Sequence, residues 1–196
     1  MTQHRDEPEL IQAFLNGDRS ARDRVLGAWA PTVLTWCMRL GGPRVDAHDA
    51  AQDVMLIVLT KGHTCRDAER FPAWVWGVTR KVLGRHRTKA WVRYWVGGVF
   101  PDSADPGAGP RVHAQISQTG RRVQQVLEEL TREHCEVLIL HDLEGRSATE
   151  VGRLLCVPPG TVKSRVRRAR ASFKAAAERR DLKVSITEAI HGGMGH

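Results

Sequence analysis

No run of apolar residues in this chain approaches the ~18 that a membrane span needs. The most apolar stretch, Val54 to Leu59, is far too short. No secretory leader is expected either: Asp6, Glu7 and Glu9 stand where a signal peptide carries basic residues followed by an apolar segment. No membrane insertion and a cytoplasmic address are therefore expected. Cysteine is sparse, and Cys37, Cys65, Cys135 and Cys156 form no Cys-x-x-Cys pair. In a chain large enough to fold without staples they read as reduced thiols. His63 and His134 lie near Cys65 and Cys135, yet finger-like ligand spacing is lacking, so no metal site is expected. No nucleophile-base constellation and no Gly-rich phosphate loop is present, which argues against an enzyme and against a bound cofactor. Alternating apolar and polar residues are also absent, which leaves helices.

What remains is an ordinary globular composition, 41% hydrophobic and 27% charged, with Lys+Arg at 30 against Asp+Glu at 22 over 196 residues. Wholesale disorder and fibrous architectures do not fit it. The strongest boundary is Gly97-Gly98 through Pro110, rich in Pro, Gly, Asp and Ser, a composition that neither propagates a helix nor pairs in a sheet. The reading is an all-α protein of two small helical domains: 1–96, a flexible Gly/Pro-rich linker at 97–120, a helix-turn-helix domain at 121–180, and a tail at 181–196.

In the first block, Leu10, Ile11, Phe14 and Leu15 recur at helical spacing until Gly17-Asp18. A second helix runs through Val25, Leu26 and Trp29. Pro31 is expected to open a third, which ends at Gly41-Gly42-Pro43. Asp46 or a near neighbour starts the next, through Val54, Leu56, Ile57 and Leu59. Phe71 to about Lys89 forms the last, with Trp74, Val75, Val78, Val82 and Leu83 at helical periodicity and Trp74 sharing the apolar face with Val78. In the second block Val123, Val126, Leu127 and Leu130 precede a helix through Val137, Leu138 and Leu140 that ends near Gly145. Ser147-Ala148-Thr149-Glu150 has the form of a capping box. Val157 to Thr161 supplies a turn before a final helix whose apolar stripe is Val162, Val166, Ala169 and Phe173.

Between Thr161 and Arg180 that helix carries Lys163, Arg165, Arg167, Arg168, Arg170, Lys174, Arg179 and Arg180, with only Glu178 of opposite sign. Because the apolar stripe faces the preceding helices, the cations take the outward surface. A solvated face would mix Glu with Lys at i, i+4. A nearly uniform sign on a helix that comes after a short helix and a turn points instead to a nucleic-acid groove.

The segments Leu138 to Gly145, Ser147 to Val151 and Val157 to Arg170 resemble region four of bacterial sigma factors of the extracytoplasmic-function branch. The resemblance implies that Lys163, Ser164, Arg167 and Arg168 face base edges of the minus-35 promoter element, with Thr161, Arg165 and Arg170 on phosphates. More loosely, Asp46 to Val54 is similar to the region-two segment that docks on the clamp helices of the polymerase β′ subunit. It implies a polymerase-binding role for Asp49, Gln52 and Asp53, which fall at i, i+3 and i+4 on one helical face. Phe71 to Lys81 resembles the helix that engages the minus-10 element and supports strand opening. Trp76 is then the candidate for contact with unstacked bases, Arg80, Lys81, Arg85 and Arg87 would hold the backbone, and the loop Gly62 to Arg70 would capture an extruded base. The chain departs from the family pattern at Lys81, where an Asn is common, and at His48, where a Glu is common.

The implied function is a sigma factor that joins core RNA polymerase through the β′ clamp helices and the β flap, delivers it to promoter DNA, and is masked by an anti-sigma factor. About 24 linker residues reach at most ~80 Å, enough for one chain to grip two promoter elements. The alternative is an autonomous helix-turn-helix regulator that binds operators as a dimer. A hydrolase or metal-dependent nuclease built on the scattered His and Asp residues is the enzyme-class competitor, and the missing ligand spacing weighs against it.

Overall fold

The computed structural model describes residues 8–96 and 118–182, and all regular structure among them is helical. The chain divides into two units, 1–99 and 100–196, each considered by itself. The linker reading at 97–117 and the tail beyond Leu182 fall outside the described residues, while Gln118 to Gly120 already belong to a helix.

In the first unit, α1 (Pro8–Leu15) buries Ile11, Phe14 and Leu15. Asp18 then caps α2 (Arg19–Gly41): its Oδ1 accepts from the Ser20 and Ala21 amides at 2.7 and 3.3 Å. Those amides hold the Asp18 carboxyl below its usual range. The sequence places a helix start at Pro31, but α2 runs straight through it. A proline inside a helix costs roughly 3 kcal/mol, chiefly through the amide it lacks. Here Pro31 and Gly27, the residue four before it, are both exposed, so the carbonyl left without its donor stands open to water. On the opposite face Val25, Trp29, Val33, Trp36, Cys37 and Leu40 are buried continuously across that point. At ~1.5 to 3 kcal/mol per buried large side chain, the stripe outweighs the proline.

Asp46 caps α3 (Ala47–Lys61) through the His48 and Asp49 amides at 2.9 and 3.0 Å. This helix packs Ala50, Val54 and Val58 inward. Two 3-10 turns, Gly62–Thr64 and Ala68–Arg70, lead into α4 (Phe71–Val96). Gly62 closes the end of α3 against α1, where a Cβ would stand 2.6 Å from the Phe14 ring. An edge-to-face chain of rings knits the core: Phe14 to Phe71 at 5.8 Å, Phe71 to Trp29 at 5.4 Å, Trp29 to Trp36 at 6.2 Å and Trp36 to Trp76 at 4.8 Å. Each such contact adds ~0.5 to 1.5 kcal/mol beyond burial.

In the second unit, α5 (Gln118–Glu128) precedes α6 (Arg132–Val137), which Thr131 caps. The helix then widens into a π-helical turn, Leu138–Leu143, where the Glu144 amide reaches back to the Ile139 carbonyl. The expected capping box is present: Ser147 Oγ accepts from the Glu150 amide at 3.3 Å, and the Glu150 carboxylate accepts from the Ser147 amide at 2.9 Å. It opens α7 (Ala148–Leu155). Cys156 turns the chain at a left-handed φ of 56°, and α8 (Pro159–Arg179) begins two residues earlier than Thr161, with Pro159 as its first residue. The core is Val126, Val137 to Leu140, Val151, Leu154, Val162, Val166, Ala169 and Phe173.

The α7–α8 turn is tight enough to demand glycine at one position. A Cβ on Gly152 would lie 2.7 Å from the Val157 carbonyl oxygen, a backbone atom that cannot swing aside, whereas one on Gly160 meets nothing within 4 Å. Helix propensity alone favours alanine at both by up to ~1 kcal/mol. Gly152→Ala is expected to destabilise by about 1 to 3 kcal/mol through overpacking. Gly160→Ala is expected to stabilise slightly, and denaturant melts of the two variants check the opposite signs.

Candidate nucleic-acid interface

Successive residues on α8 advance by about 100°. Val162, Val166, Ala169, Phe173, Ala176 and Ala177 close one side, all buried. Gly160, Arg167, Arg168 and Ala171 lie on the far side and Lys163 at its edge, all exposed. Among the described residues Lys163, Arg167 and Arg168 make no ion pair or hydrogen bond through their side chains. Ser164 sits between them, half-buried, its hydroxyl donating to the Thr161 carbonyl at 2.9 Å. Thr161 is half-buried at the helix start.

The other cations on this helix and at its end are paired, and all but Lys174 have partners distant in the sequence. Arg165 meets Glu133 of α6 at 3.4 Å on one flank. On the opposite flank Arg170 forms a two-pronged pair with Asp142, Nε to Oδ2 at 2.9 Å and Nη2 to Oδ1 at 2.7 Å. Arg179 and Arg180 clasp Glu129 just past the end of α5, Arg179 at 2.7 Å, and together hold its carboxyl below the usual range. Lys174 lies 3.9 Å from Glu178. The outward charge is therefore concentrated in the first half of α8.

In the first unit the structure corrects the assignment of the tryptophans. Trp76, read from the sequence as the base-stacking residue, is 1% exposed and packs edge-on against Trp36, so it is a core residue. The reason is that α4 packs against both α2 and α3. Its buried face is accordingly broad: Phe71, Val75, Trp76, Thr79, Val82 and Leu83. Thr79 masks that face in the sequence; it is fully buried, with its hydroxyl donating to the Val75 carbonyl at 2.9 Å. Trp74, read as core, is half-buried and stacked on Phe71 at 5.9 Å and 22°. At spacings of four, three and four, Trp74, Val78, Lys81 and Arg85 form the stripe that leaves the core, with Lys81 and Arg85 exposed.

Arg80 is half-buried. Arg87 leaves the DNA-binding set: its guanidinium donates to the Leu40 and Gly41 carbonyls and caps the C-terminus of α2, where the helix dipole favours a cation. In the loop Gly62 to Arg70, His63, Thr64, Arg66, Glu69 and Arg70 are exposed. Cys65 is buried, its thiol donating to the Asp67 carbonyl and pushed up by burial. Burial likewise pushes Cys37 up to about 12, leaving it an inert core thiol. The side chains of Trp91, Tyr94 and Trp95 fall outside the described residues.

Asp49, Gln52 and Asp53 come together as expected, all exposed on the outer face of α3. Asp53 is 54% exposed and meets His86 of α4 at 2.9 Å. One turn on, Leu56 is 57% exposed, so the acidic face continues into an apolar one. Among the described residues no group of His, Cys, Asp and Glu is placed to hold a metal ion, and no helix is long and apolar enough to cross a membrane.

Two stretches match known families: residues 25–93 match Sigma-70 region 2 and residues 120–173 match Sigma-70, region 4. The extracytoplasmic-function RNA polymerase sigma factor SigD of Mycobacterium tuberculosis is 31% identical over 171 residues, which cover 84% of this chain and 81% of SigD. The corresponding factor ShbA of Streptomyces griseus is 28% identical over 182 residues, covering 86% and 94%. Among solved structures, CnrH in complex with the cytosolic domain of CnrY superposes with a TM-score of 0.61 at 20% identity, over 88% of this chain and 97% of that one. The sigma factor RpoE in complex with the anti-sigma factor NepR from Bartonella quintana gives 0.56 at 21%, over 80% and 96%. These two likenesses concern the fold.

Proposed function

The chain belongs to the extracytoplasmic-function RNA polymerase sigma factors, and from that premise we propose how its residues divide the work of bringing core polymerase to a promoter and opening it. The observation that carries the reading is the trio Lys163, Arg167 and Arg168, exposed and unengaged on the outward face of a helix that follows a tight turn and opens on Pro159. With Ser164, they enter the major groove of the minus-35 element and read base edges, Arg to guanine above all. Thr161 and the flanking Arg165 and Arg170 lie toward phosphates. In the first unit Trp74 supports bases unstacked from the minus-10 element, Arg80, Lys81 and Arg85 hold the strand, and the loop Gly62 to Arg70 takes an extruded base. Asp49, Gln52 and Asp53 meet basic residues on the β′ clamp helices. The polymerase supplies the catalytic chemistry, and this chain is a recognition subunit, not an enzyme. Its place of work is the cytoplasm, and a protein of the kind seen bound to the structural relative RpoE covers these faces until transcription is required.

Promoter-dependent run-off transcription with core polymerase tests this. Arg168→Ala is expected to lose about 1 to 3 kcal/mol of discrimination at one upstream base pair, about 5- to 150-fold, while polymerase binding is retained. An autonomous regulator would instead bind its site tightly without polymerase, and that outcome would overturn the proposal. The exposed acidic face of α3 favours the first reading, because a self-sufficient regulator has no use for it.

A further inference from the structure

The pair formed by Arg170 and Asp142 is built unlike the other ion pairs of α8. Asp142 projects from the π-helical turn with its side chain only 8% exposed, while the Arg170 guanidinium is 55% exposed. Both carboxylate oxygens are used on Arg170, and His141 Nδ1 meets Oδ1 at 2.7 Å. Burial works against the charge on Asp142, but the hydrogen bonds from Arg170 and His141 outweigh it and hold the carboxyl below its usual range. A nearly buried, fully bonded acid thus fixes one edge of a guanidinium that otherwise stands in solvent. Arginine has five N–H donors in a rigid fork. Asp142 takes two of them.

We infer that Asp142 is a positioning residue for promoter binding: it holds the Arg170 guanidinium at the flank of α8 so that its remaining donors meet a DNA phosphate beside the groove. This rests on α8 lying in the groove as proposed above. An arginine ordered before binding loses less rotamer freedom on meeting its phosphate than a free one does. The π turn contributes because its extra residue rotates the succeeding backbone away from the α-helical path and brings position 142 against the side of α8, where the two-pronged contact is made.

Charge alone predicts the opposite of positioning. Asp142→Asn removes a negative charge close to DNA and should tighten binding if only net charge matters. Held geometry predicts weaker binding. The test uses the full chain assembled with core polymerase, a labelled promoter duplex, and affinity measured across a salt series. Asp142→Asn and Arg170→Ala are each expected to weaken binding about five- to tenfold and to lower the slope of log affinity against log salt by about 0.9, the loss of one phosphate contact. The double variant should be no worse than Arg170→Ala alone. Arg170→Lys, which keeps the charge but cannot form the fork, should weaken binding to a similar extent.

Unchanged or tighter binding by Asp142→Asn, with Arg168→Ala still impaired, overturns the inference and leaves the reading of α8 standing. Arg168→Ala binding normally would sink the reading of α8 itself. Should Asp142→Asn melt early and fail to assemble, Arg170→Lys decides: full affinity in that variant overturns the positioning role.

Discussion

Replacing Trp76 with alanine is expected to cost the first unit about 3 to 5 kcal/mol, the range for removing a large aromatic from a closed core. The ring is 1% exposed, and its neighbour Trp36, at 4.8 Å, has no solvent to fall back on. Against a total stability of ~5 to 15 kcal/mol, the unit would be close to unfolding. A denaturant melt followed by circular dichroism shows it directly, and an unshifted midpoint would contradict the core assignment. Trp74→Ala separates structure from function. That ring is half-buried and stacks on Phe71, so its loss should move the melt far less. The deficit should appear at strand opening, where one base-aromatic stack is worth ~1 to 3 kcal/mol, about 5- to 150-fold in the open complex. Permanganate footprinting of the minus-10 region reads that quantity. Equal damage to opening and to folding in the Trp74 variant would make it a core residue as well.

Asp53→Arg should abolish association with core polymerase while the fold survives. The carboxylate is more than half exposed, and its contact with His86 is of the surface kind, worth ~0 to 1 kcal/mol, so the melting point is expected to move little. At an interface with basic residues on the partner, reversal of charge costs several kcal/mol, a hundredfold or more in affinity. Asp49→Arg provides the companion measurement, because Asp49 lies one turn away with no ion pair of its own among the described residues. Unaltered polymerase affinity in both variants, measured by fluorescence polarisation, would remove the acidic face from the interface.

The features legible in the sequence are those decided within a few residues. The Asp46 cap, the Ser147 and Glu150 box, and the buried stripe Val162, Val166, Ala169 and Phe173 arise from local chemistry, and the structure has each of them. Pro31 misleads because the local penalty is real, and what overrides it is a stripe packed against other helices. The tryptophans exchange roles for a related reason: a helix with two packing partners has a wide inner face, and a buried threonine in its middle breaks the apolar pattern. The free charge on α8 is smaller than its sequence suggests because Glu133, Asp142 and Glu129 lie far from their arginines along the chain. Separations of 28 for Asp142 and 50 for Glu129 are set by tertiary structure alone. The π turn that carries Asp142 has no sequence signature that periodicity detects.

That internal neutralisation also sets how the protein treats DNA that is not its target. Were the seven cations of α8 and Arg180 just beyond it all to release counterions, affinity for random duplex would fall about 20,000-fold between 50 and 200 mM salt. With Lys163, Arg167 and Arg168 bare and only Arg165 and Arg170 beside them turned to phosphates, the same change costs about 500-fold. Such a molecule leaves the bulk of the chromosome quickly and is not titrated away by it. Its partition among sites is governed by the enzyme it escorts and by the few base pairs it can read, a division that lets a scarce factor reach rare addresses.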